Sequence, residues 1–73
     1  MSTARNSVDK KLLEILEEAI EREQLSQQRY ALGASLAIDP EVKEMFLRLV
    51  EDEMNHERIL RGRLVALKER QGS

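Results

Sequence analysis

The chain of 73 residues has no cysteine and no tryptophan, a single proline, and only 3 % aromatic residues. Without cysteine, neither a disulfide framework nor a thiolate metal site can stabilise a chain this close to the lower size limit for a solitary core. No apolar run approaches the length of a membrane span, and the N-terminus lacks the apolar stretch of a signal peptide. These absences predict a small cytoplasmic protein that does not enter a membrane.

Charge is abundant but mixed. Charged residues make up 36 % of the chain, yet the net charge is only −2. Acidic and basic side chains are interspersed, which argues against a nucleic-acid-binding surface. The one basic cluster, near the C-terminus, fits the preference for cations in the last turns of a helix. The sequence therefore predicts no nucleic-acid partner.

One turn signal divides the chain into two helical segments. Proline disfavours the α conformation in the residue before it and suits the first helical position, so Asp39-Pro40 ends one helix and begins the next. A turn this short makes the helices antiparallel neighbours. The predicted fold class is all-α, an antiparallel two-helix hairpin that dimerises into a four-helix bundle. The predicted segments are a flexible N-terminus, two helices that form one hairpin domain over 7–70, and a flexible C-terminus: 1–6, 7–38, 40–69 and 71–73.

The second helix has an apolar seam that two polar residues interrupt. Every third or fourth residue from the start of this helix belongs to the seam: Val42, Phe46, Leu49, Glu53, His56, Leu60, Leu64 and Leu67. Residues three apart share one face of a helix, so Glu53 and His56 are expected to point towards the buried side. Burying either group without a partner is costly, and a metal ion is one such partner.

The first helix has a matching interruption at Glu23, which occupies a seam position one heptad before Tyr30. With a rise of about 1.5 Å per residue, Glu23 stands about 24 Å before Asp39 along the first helix. Glu53 and His56 stand about 21 Å and 26 Å after Asp39 along the second. The three polar residues are therefore expected to face one another at one level of the hairpin.

This coincidence favours a metal site shared between two chains. Each residue alone has an ordinary explanation, since helical glutamates are usually solvated and a lone seam histidine is more often a satisfied core residue than a ligand. Glutamate and histidine without cysteine suit iron, manganese or zinc. One hairpin supplies too few ligands for two metals, but a two-fold axis gives four glutamates and two histidines, the di-iron inventory of a four-helix bundle. The predicted cofactor is iron, two per homodimer, which manganese or zinc can replace.

Several of these residues also carry a family resemblance. Glu23 with Tyr30, the turn Asp39-Pro40-Glu41, and the run Glu53-Met54-Asn55-His56 together resemble half of a rubrerythrin or ferritin-like domain. The single-hairpin length, the interval of 30 residues between the two glutamates, and the turn most resemble the encapsulated ferritins. This resemblance, which covers roughly residues 12–67, implies a hairpin that dimerises around a di-iron ferroxidase centre. It also implies a ring of such dimers, carried as cargo in an encapsulin shell.

Individual roles follow from the resemblance by position. It implies that Glu23, Glu53 and His56 are the metal ligands and the catalytic residues. It implies that Tyr30 lies near the metal and hydrogen-bonds to its surroundings, although Tyr30 fits an ordinary seam aromatic equally well. Gln27, one turn after Glu23, is a candidate to orient a ligand carboxylate.

The sequence departs from the encapsulated ferritins in two places. Positions around Glu23 that carry further acidic or aromatic groups in that family are here Arg22, Leu25 and Arg29. The acidic site through which metal enters in that family is therefore not predicted. No shell-targeting tail is recognisable before Ser73, so either such a tail lies outside this sequence or the cargo role does not apply.

The predicted function is that of a ferroxidase, which oxidises Fe(II) to Fe(III) with dioxygen or peroxide, for iron storage in an encapsulin compartment of the cytoplasm. Two alternatives stay open. A rubrerythrin-type site would reduce peroxide, but the chain has no cysteine for a rubredoxin-like iron centre. A non-catalytic dimerisation module would use the same three polar residues as a register-setting network or a structural metal site.

Overall fold

The computed structural model describes residues 3–72, and their side chains from Ser7 to Arg70. Two helices, α1 (Thr3–Leu36) and α2 (Pro40–Gly72), pack against each other, and no strand occurs in this part of the chain. The described hairpin measures 58 × 14 × 12 Å. The all-α antiparallel hairpin is confirmed, whereas its dimerisation into a four-helix bundle stays a prediction. Neither helix carries an apolar stretch that is long enough to cross a bilayer.

The turn is built around Asp39 and Pro40. The Asp39 side chain accepts a hydrogen bond from the backbone N–H of Glu41 at 3.0 Å, and its carbonyl accepts one from Lys43 at 3.0 Å. Asp39 thus caps α2 by pairing an N–H group that the first turn of a helix leaves unsatisfied. α1 ends at Leu36, two residues before the predicted boundary, because the chain needs three non-helical residues to reverse direction before the proline.

Both helices reach further outward than predicted. α1 begins at Thr3 rather than near residue 7, and α2 continues to Gly72 rather than ending near residue 69. No proline interrupts either end, so each helix adds a hydrogen-bonded turn at little cost. The flexible ends predicted for 1–6 and 71–73 lie partly outside the described residues, and their described backbone is helical.

The interface between the helices is narrow. Ile20 and Ala34 are its buried hydrophobic residues among the described side chains. Half-buried positions recur around them at intervals of three or four residues, as expected for a helix seam. Because each helix has only one neighbour, many large apolar side chains stay exposed. These exposed residues include Val8, Leu12, Ile15, Leu25, Leu32, Val42, Met45, Leu47, Met54, Ile59 and Val65.

The helices pack closely where Gly33 faces Phe46. A Cβ atom at Gly33 would lie 2.9 Å from the ring carbons Cε1 and Cζ of Phe46. The same ring packs against Tyr30, with centroids 6.3 Å apart and planes inclined by 31°. Glycine inside a helix costs about 1 kcal/mol relative to alanine, but here the aromatic ring occupies the space that alanine would need. This contact sets the helix spacing near the turn.

The opposite end of the hairpin is held by an ion pair. Asp9 is only 7 % exposed, and its Oδ1 accepts a hydrogen bond of 3.0 Å from Nη2 of Arg70. A carboxylate buried to this degree requires such a partner. The turn and this ion pair hold the two helices together at the two ends of the hairpin, and the polar seam residues lie between them.

Candidate metal centre

Glu23 of α1 meets Glu53 and His56 of α2 near the middle of the hairpin. The Nδ1 atom of His56 lies 3.6 Å from Oε2 of Glu23 and 3.6 Å from Oε1 of Glu53. One potential ligand atom from each of the three residues lies within 4.8 Å of the other two. The structure therefore brings together the three residues that the helix rise, counted from Asp39, placed at one level.

The three side chains differ in burial. The Glu23 and Glu53 side chains are 21 % and 17 % exposed, whereas the His56 side chain is 56 % exposed. Glu53 points into the seam as predicted. His56, three residues further on, lies at the open edge of the seam in a single hairpin, because three residues fall short of a full turn of 3.6. The cluster is thus closed on its carboxylate side and open on its imidazole side.

The two carboxyl groups are poorly accommodated without a cation. The Oε2 atom of Glu23 is buried and has no hydrogen-bond partner, since 3.6 Å to His56 is too long for a hydrogen bond. A hydrogen bond with Glu23, burial, and the charge of Glu23 raise the pKa of Glu53 above its ordinary value, and only the charge of His56 opposes them. A cation would relieve both the unpaired oxygen and the repulsion.

The donor set fits a divalent transition metal. Two carboxylates supply hard oxygen donors and the imidazole supplies a borderline nitrogen donor, a combination that iron, manganese and zinc accept. An ion bonded at about 2.1 Å to two donors keeps them at most about 4.2 Å apart, and the contacts of 3.6 Å that His56 makes meet this limit. Three donors do not complete the shell of such an ion. Further ligands can reach it from the open side beside His56.

Tyr30 and Gln27 have other partners in the described hairpin. The Tyr30 ring packs against Phe46, which agrees with the seam-aromatic interpretation, and a hydrogen bond from Tyr30 near a metal stays a prediction. Gln27 donates its Nε2 to Oε1 of Glu57 at 2.7 Å. Gln27 therefore orients Glu57 in the described hairpin, and its role in orienting a ligand carboxylate stays a prediction.

Glu57 is a half-buried polar seam residue that sequence reasoning missed. Its side chain is 18 % exposed and accepts hydrogen bonds from Gln24 Nε2 at 3.2 Å, Gln27 Nε2 at 2.7 Å and Arg61 Nε at 2.7 Å. The bonds from Gln27 and then Arg61 are the largest causes that lower the pKa of Glu57. A spacing of four residues from Glu53 fits the seam as well as the three-residue spacing to His56. The two glutamines at the same level of α1 are the sequence signal for this role.

Two long antiparallel helices with a Glu, Glu, His cluster at mid-length define the class as half of a ferritin-like bundle. The Rubrerythrin family model matches residues 6–72. The chain therefore belongs to the rubrerythrin family, which confirms the ferritin-like half-domain inferred from its motifs. This membership points to a di-iron protein with oxidoreductase activity in general. No curated protein and no solved structure matches the chain significantly.

Proposed function

We propose that the protein is a ferroxidase that oxidises Fe(II) at a di-iron site shared by two chains. The observation that carries this proposal is the buried Oε2 atom of Glu23, which has no hydrogen-bond partner and lies 3.6 Å from the imidazole of His56. Together with the neighbouring Glu53 carboxyl, this oxygen forms an arrangement that is unfavourable until a cation joins it. The family membership supports iron as that cation.

A second copy of the chain would supply the missing ligands. His56 is half exposed, and Arg63, one heptad later on the same flank, borders an open groove that Leu12, Ile15 and Leu67 line. Monomeric proteins rarely leave extended apolar surface uncovered. A second hairpin on this flank would cover the groove and His56 together. A two-fold axis through the site would then assemble four glutamates and two histidines.

Fe(II) is the substrate of the proposed reaction. Two Fe(II) ions each lose one electron to dioxygen, which takes up two protons from water and leaves as hydrogen peroxide. Glu23 and Glu53 provide anionic oxygen donors that favour the more highly charged product ion. Glu53 binds metal as the ionised carboxylate, so metal competes with the proton that the raised pKa of Glu53 favours. The neighbouring seam residues Leu16 and Leu60, both half-buried, limit the access of water.

The proposal extends to a ring of dimers and to iron storage inside an encapsulin shell in the cytoplasm. Its support is the turn Asp39-Pro40-Glu41 and the interval of 30 residues between Glu23 and Glu53, both of which resemble the encapsulated ferritins. Light scattering after size-exclusion chromatography tests the ring, and co-purification with a co-expressed encapsulin shell tests the cargo role. A species no larger than a dimer would contradict the ring.

Anaerobic titration with Fe(II), followed by admission of air, tests the ferroxidase. We expect a near-ultraviolet absorbance rise with an endpoint of about one iron per chain, and the loss of that rise in Glu53→Ala. Glu51→Ala is the matched control, because Glu51 is exposed on the side of α2 away from the seam. No rise above buffer in the wild type, or an equal rise in Glu53→Ala, would overturn the proposal.

The family match itself favours peroxide reduction of the rubrerythrin type as a second candidate. Both reactions use the same residues, so the oxidant decides between them. Stopped-flow oxidation of the Fe(II)-loaded protein with equal concentrations of dioxygen and hydrogen peroxide makes this comparison. Faster reaction with dioxygen supports the ferroxidase, and markedly faster reaction with peroxide supports the second candidate.

The exposed apolar flank also favours a non-catalytic dimerisation module in which the polar cluster only sets register. That alternative predicts an intact dimer after chelation and in His56→Leu. A metal site that only the assembled dimer completes predicts instead that Fe(II) strengthens the dimer, since a ligand stabilises the state that binds it. Sedimentation with Fe(II) and with chelator separates the two.

A further inference from the structure

A second polar cluster, defined as Gln24, Gln27, Glu57 and Arg61, lies in the seam beside the candidate metal centre. The Glu57 carboxylate accepts three hydrogen bonds of 2.7 to 3.2 Å, two from glutamines of α1 and one from Arg61 of α2. The glutamine bonds cross between the helices. We call this set the Glu57 bridge.

The Glu57 bridge joins the same turns of helix that carry the metal donors. On α1, Gln24 directly follows Glu23. On α2, Glu57 directly follows His56 and lies one turn after Glu53. A movement that separates α1 from α2 at this level would therefore have to break the bonds from both glutamines to Glu57.

The metal-free cluster needs such a restraint. The buried Oε2 atom of Glu23, which has no hydrogen-bond partner, makes the approach of Glu23 to Glu53 unfavourable without a cation. A slip of one residue along a helix would displace a donor by about 1.5 Å, a large fraction of the 3.6 Å that separates His56 from each carboxylate. The ion pair of Asp9 and the turn lie too far along the helices to prevent a local opening.

We propose that Glu57 is a positioning residue that holds Glu23, Glu53 and His56 at metal-binding spacing before metal arrives. The inference rests on the proposed metal site. Glu57 is not among the residues whose donor atoms converge at the candidate site, and both of its oxygens accept hydrogen bonds. Its contribution is the fixed alignment of α1 with α2 at the level of the donors.

Glu57→Leu separates positioning from a merely structural role. Leucine can pack in the apolar seam towards Leu60 and Leu64, but the change also removes the acceptor of three hydrogen bonds. The melting temperature of this variant is therefore measured beside its metal affinity. A structural role predicts that metal affinity changes only as far as thermal stability does. The positioning role predicts a loss of metal affinity that is larger than the change in melting temperature accounts for.

The experiment is an anaerobic titration with Co(II), followed by its visible absorption, together with thermal melting of each metal-free protein. We expect Glu57→Leu to bind Co(II) about 10- to 100-fold more weakly, the usual loss when a residue that supports a ligand is removed. Glu57→Gln keeps one acceptor oxygen for Gln27, so its affinity should lie between those of Glu57→Leu and the wild type. Glu51→Gln, an exposed exchange of the same chemistry, is the control and should match the wild type.

Co(II) affinity of Glu57→Leu within about twofold of the wild type, or a loss no larger than its melting temperature accounts for, would overturn the positioning role and leave the metal site standing. If Glu57→Leu does not fold, the comparison of Glu57→Gln with Glu51→Gln decides by the same criteria. No Co(II) binding by the wild type would overturn the metal site and this role together.

Discussion

Two polar clusters lie side by side in one helix seam, and only one of them is satisfied. Glu57 has three hydrogen-bond donors and a lowered pKa. Glu53 faces a second carboxyl and has a raised pKa, and Glu23 keeps a buried oxygen without a partner. The two clusters use adjacent positions of the sequence, since Gln24 directly follows Glu23 and Glu57 directly follows His56.

The difference indicates that the two clusters have different roles in the hairpin. A complete hydrogen-bond network aligns two helices without help, whereas an incomplete one is stable only after something is added. The Glu57 bridge belongs to the first kind. The cluster of Glu23, Glu53 and His56 belongs to the second kind, and its open side at His56 shows where the addition would come.

The largest effect is expected from Glu53→Gln, which makes the unsatisfied cluster resemble the satisfied one. Glutamine can donate to the unpaired oxygen of Glu23, so the metal-free protein should melt at a higher temperature. Zn(II) affinity should fall by more than about 100-fold, since removing a residue that only supports a ligand already costs up to about that much. Calorimetric titration and thermal melting check both results, with Glu51→Gln as control. Unchanged Zn(II) affinity, or a lower melting temperature, would contradict the conclusion that the cluster of Glu23, Glu53 and His56 is unsatisfied until metal binds.

The next effect concerns the helix spacing on which both clusters depend. Gly33→Ala places a methyl group 2.9 Å from the Phe46 ring. Overpacking costs about 1–3 kcal/mol, which exceeds the gain of about 1 kcal/mol in helix propensity. We expect the free energy of unfolding to fall by about 1 kcal/mol. Gly62→Ala is the control, because a Cβ there meets nothing within 4 Å, and it should raise that free energy by up to about 1 kcal/mol. Equal stabilisation by both changes in urea unfolding would rule out the tight contact.

A smaller effect distinguishes the two glutamines of the Glu57 bridge. The bond from Gln27 is part-buried and 2.7 Å long, whereas the bond from Gln24 is exposed and 3.2 Å long. Gln27→Ala should lower the free energy of unfolding by about 1 kcal/mol, and Gln24→Ala by less than about 0.5 kcal/mol. A double-mutant cycle of each change with Glu57→Gln measures the coupling directly. Larger coupling for Gln24 than for Gln27 would refute this account of the bridge.

The smallest expected effect concerns pH. Glu53 and Glu57 are expected to change the stability of the metal-free protein in opposite directions as the pH rises. The raised pKa of Glu53 adds stability below its ordinary value of 4.5, and this stability is lost as the pH rises through the raised pKa. The lowered pKa of Glu57 adds stability above 4.5, and this stability is lost as the pH falls through the lowered pKa. Melting temperatures from about pH 3 to 7 should therefore lose their neutral-side decline in Glu53→Gln and part of their acid-side decline in Glu57→Gln. The same slopes in both variants would contradict the assignment.

Local signals and axial counting predicted much of this arrangement. Asp39-Pro40 fixes the turn through its own backbone restrictions, and the constant helix rise then brings Glu23 level with Glu53. The choice between His56 and Glu57 as the inward residue was not predictable in the same way. Positions three and four residues after Glu53 lie about equally far from the seam centre, so packing against α1 decides between them.

Side-chain partners were the least predictable feature. Gln27 lies one turn from Glu23 on its own helix, and it also faces Glu57 across the seam. The spacing of residues along one helix cannot choose between these two acceptors. In the folded hairpin, the hydrogen bond from Arg61 holds the Glu57 carboxylate within reach of Gln27, and Gln27 donates to Glu57.

Native mass spectrometry of the protein loaded anaerobically with Fe(II) tests the shared metal site, because it counts chains and metals in the same particle. A shared site completed by a second copy predicts two irons for every two chains, and the loss of both irons in Glu23→Ala and in His56→Ala. Chains that carry no iron, or single chains that bind iron as tightly as pairs, would contradict it.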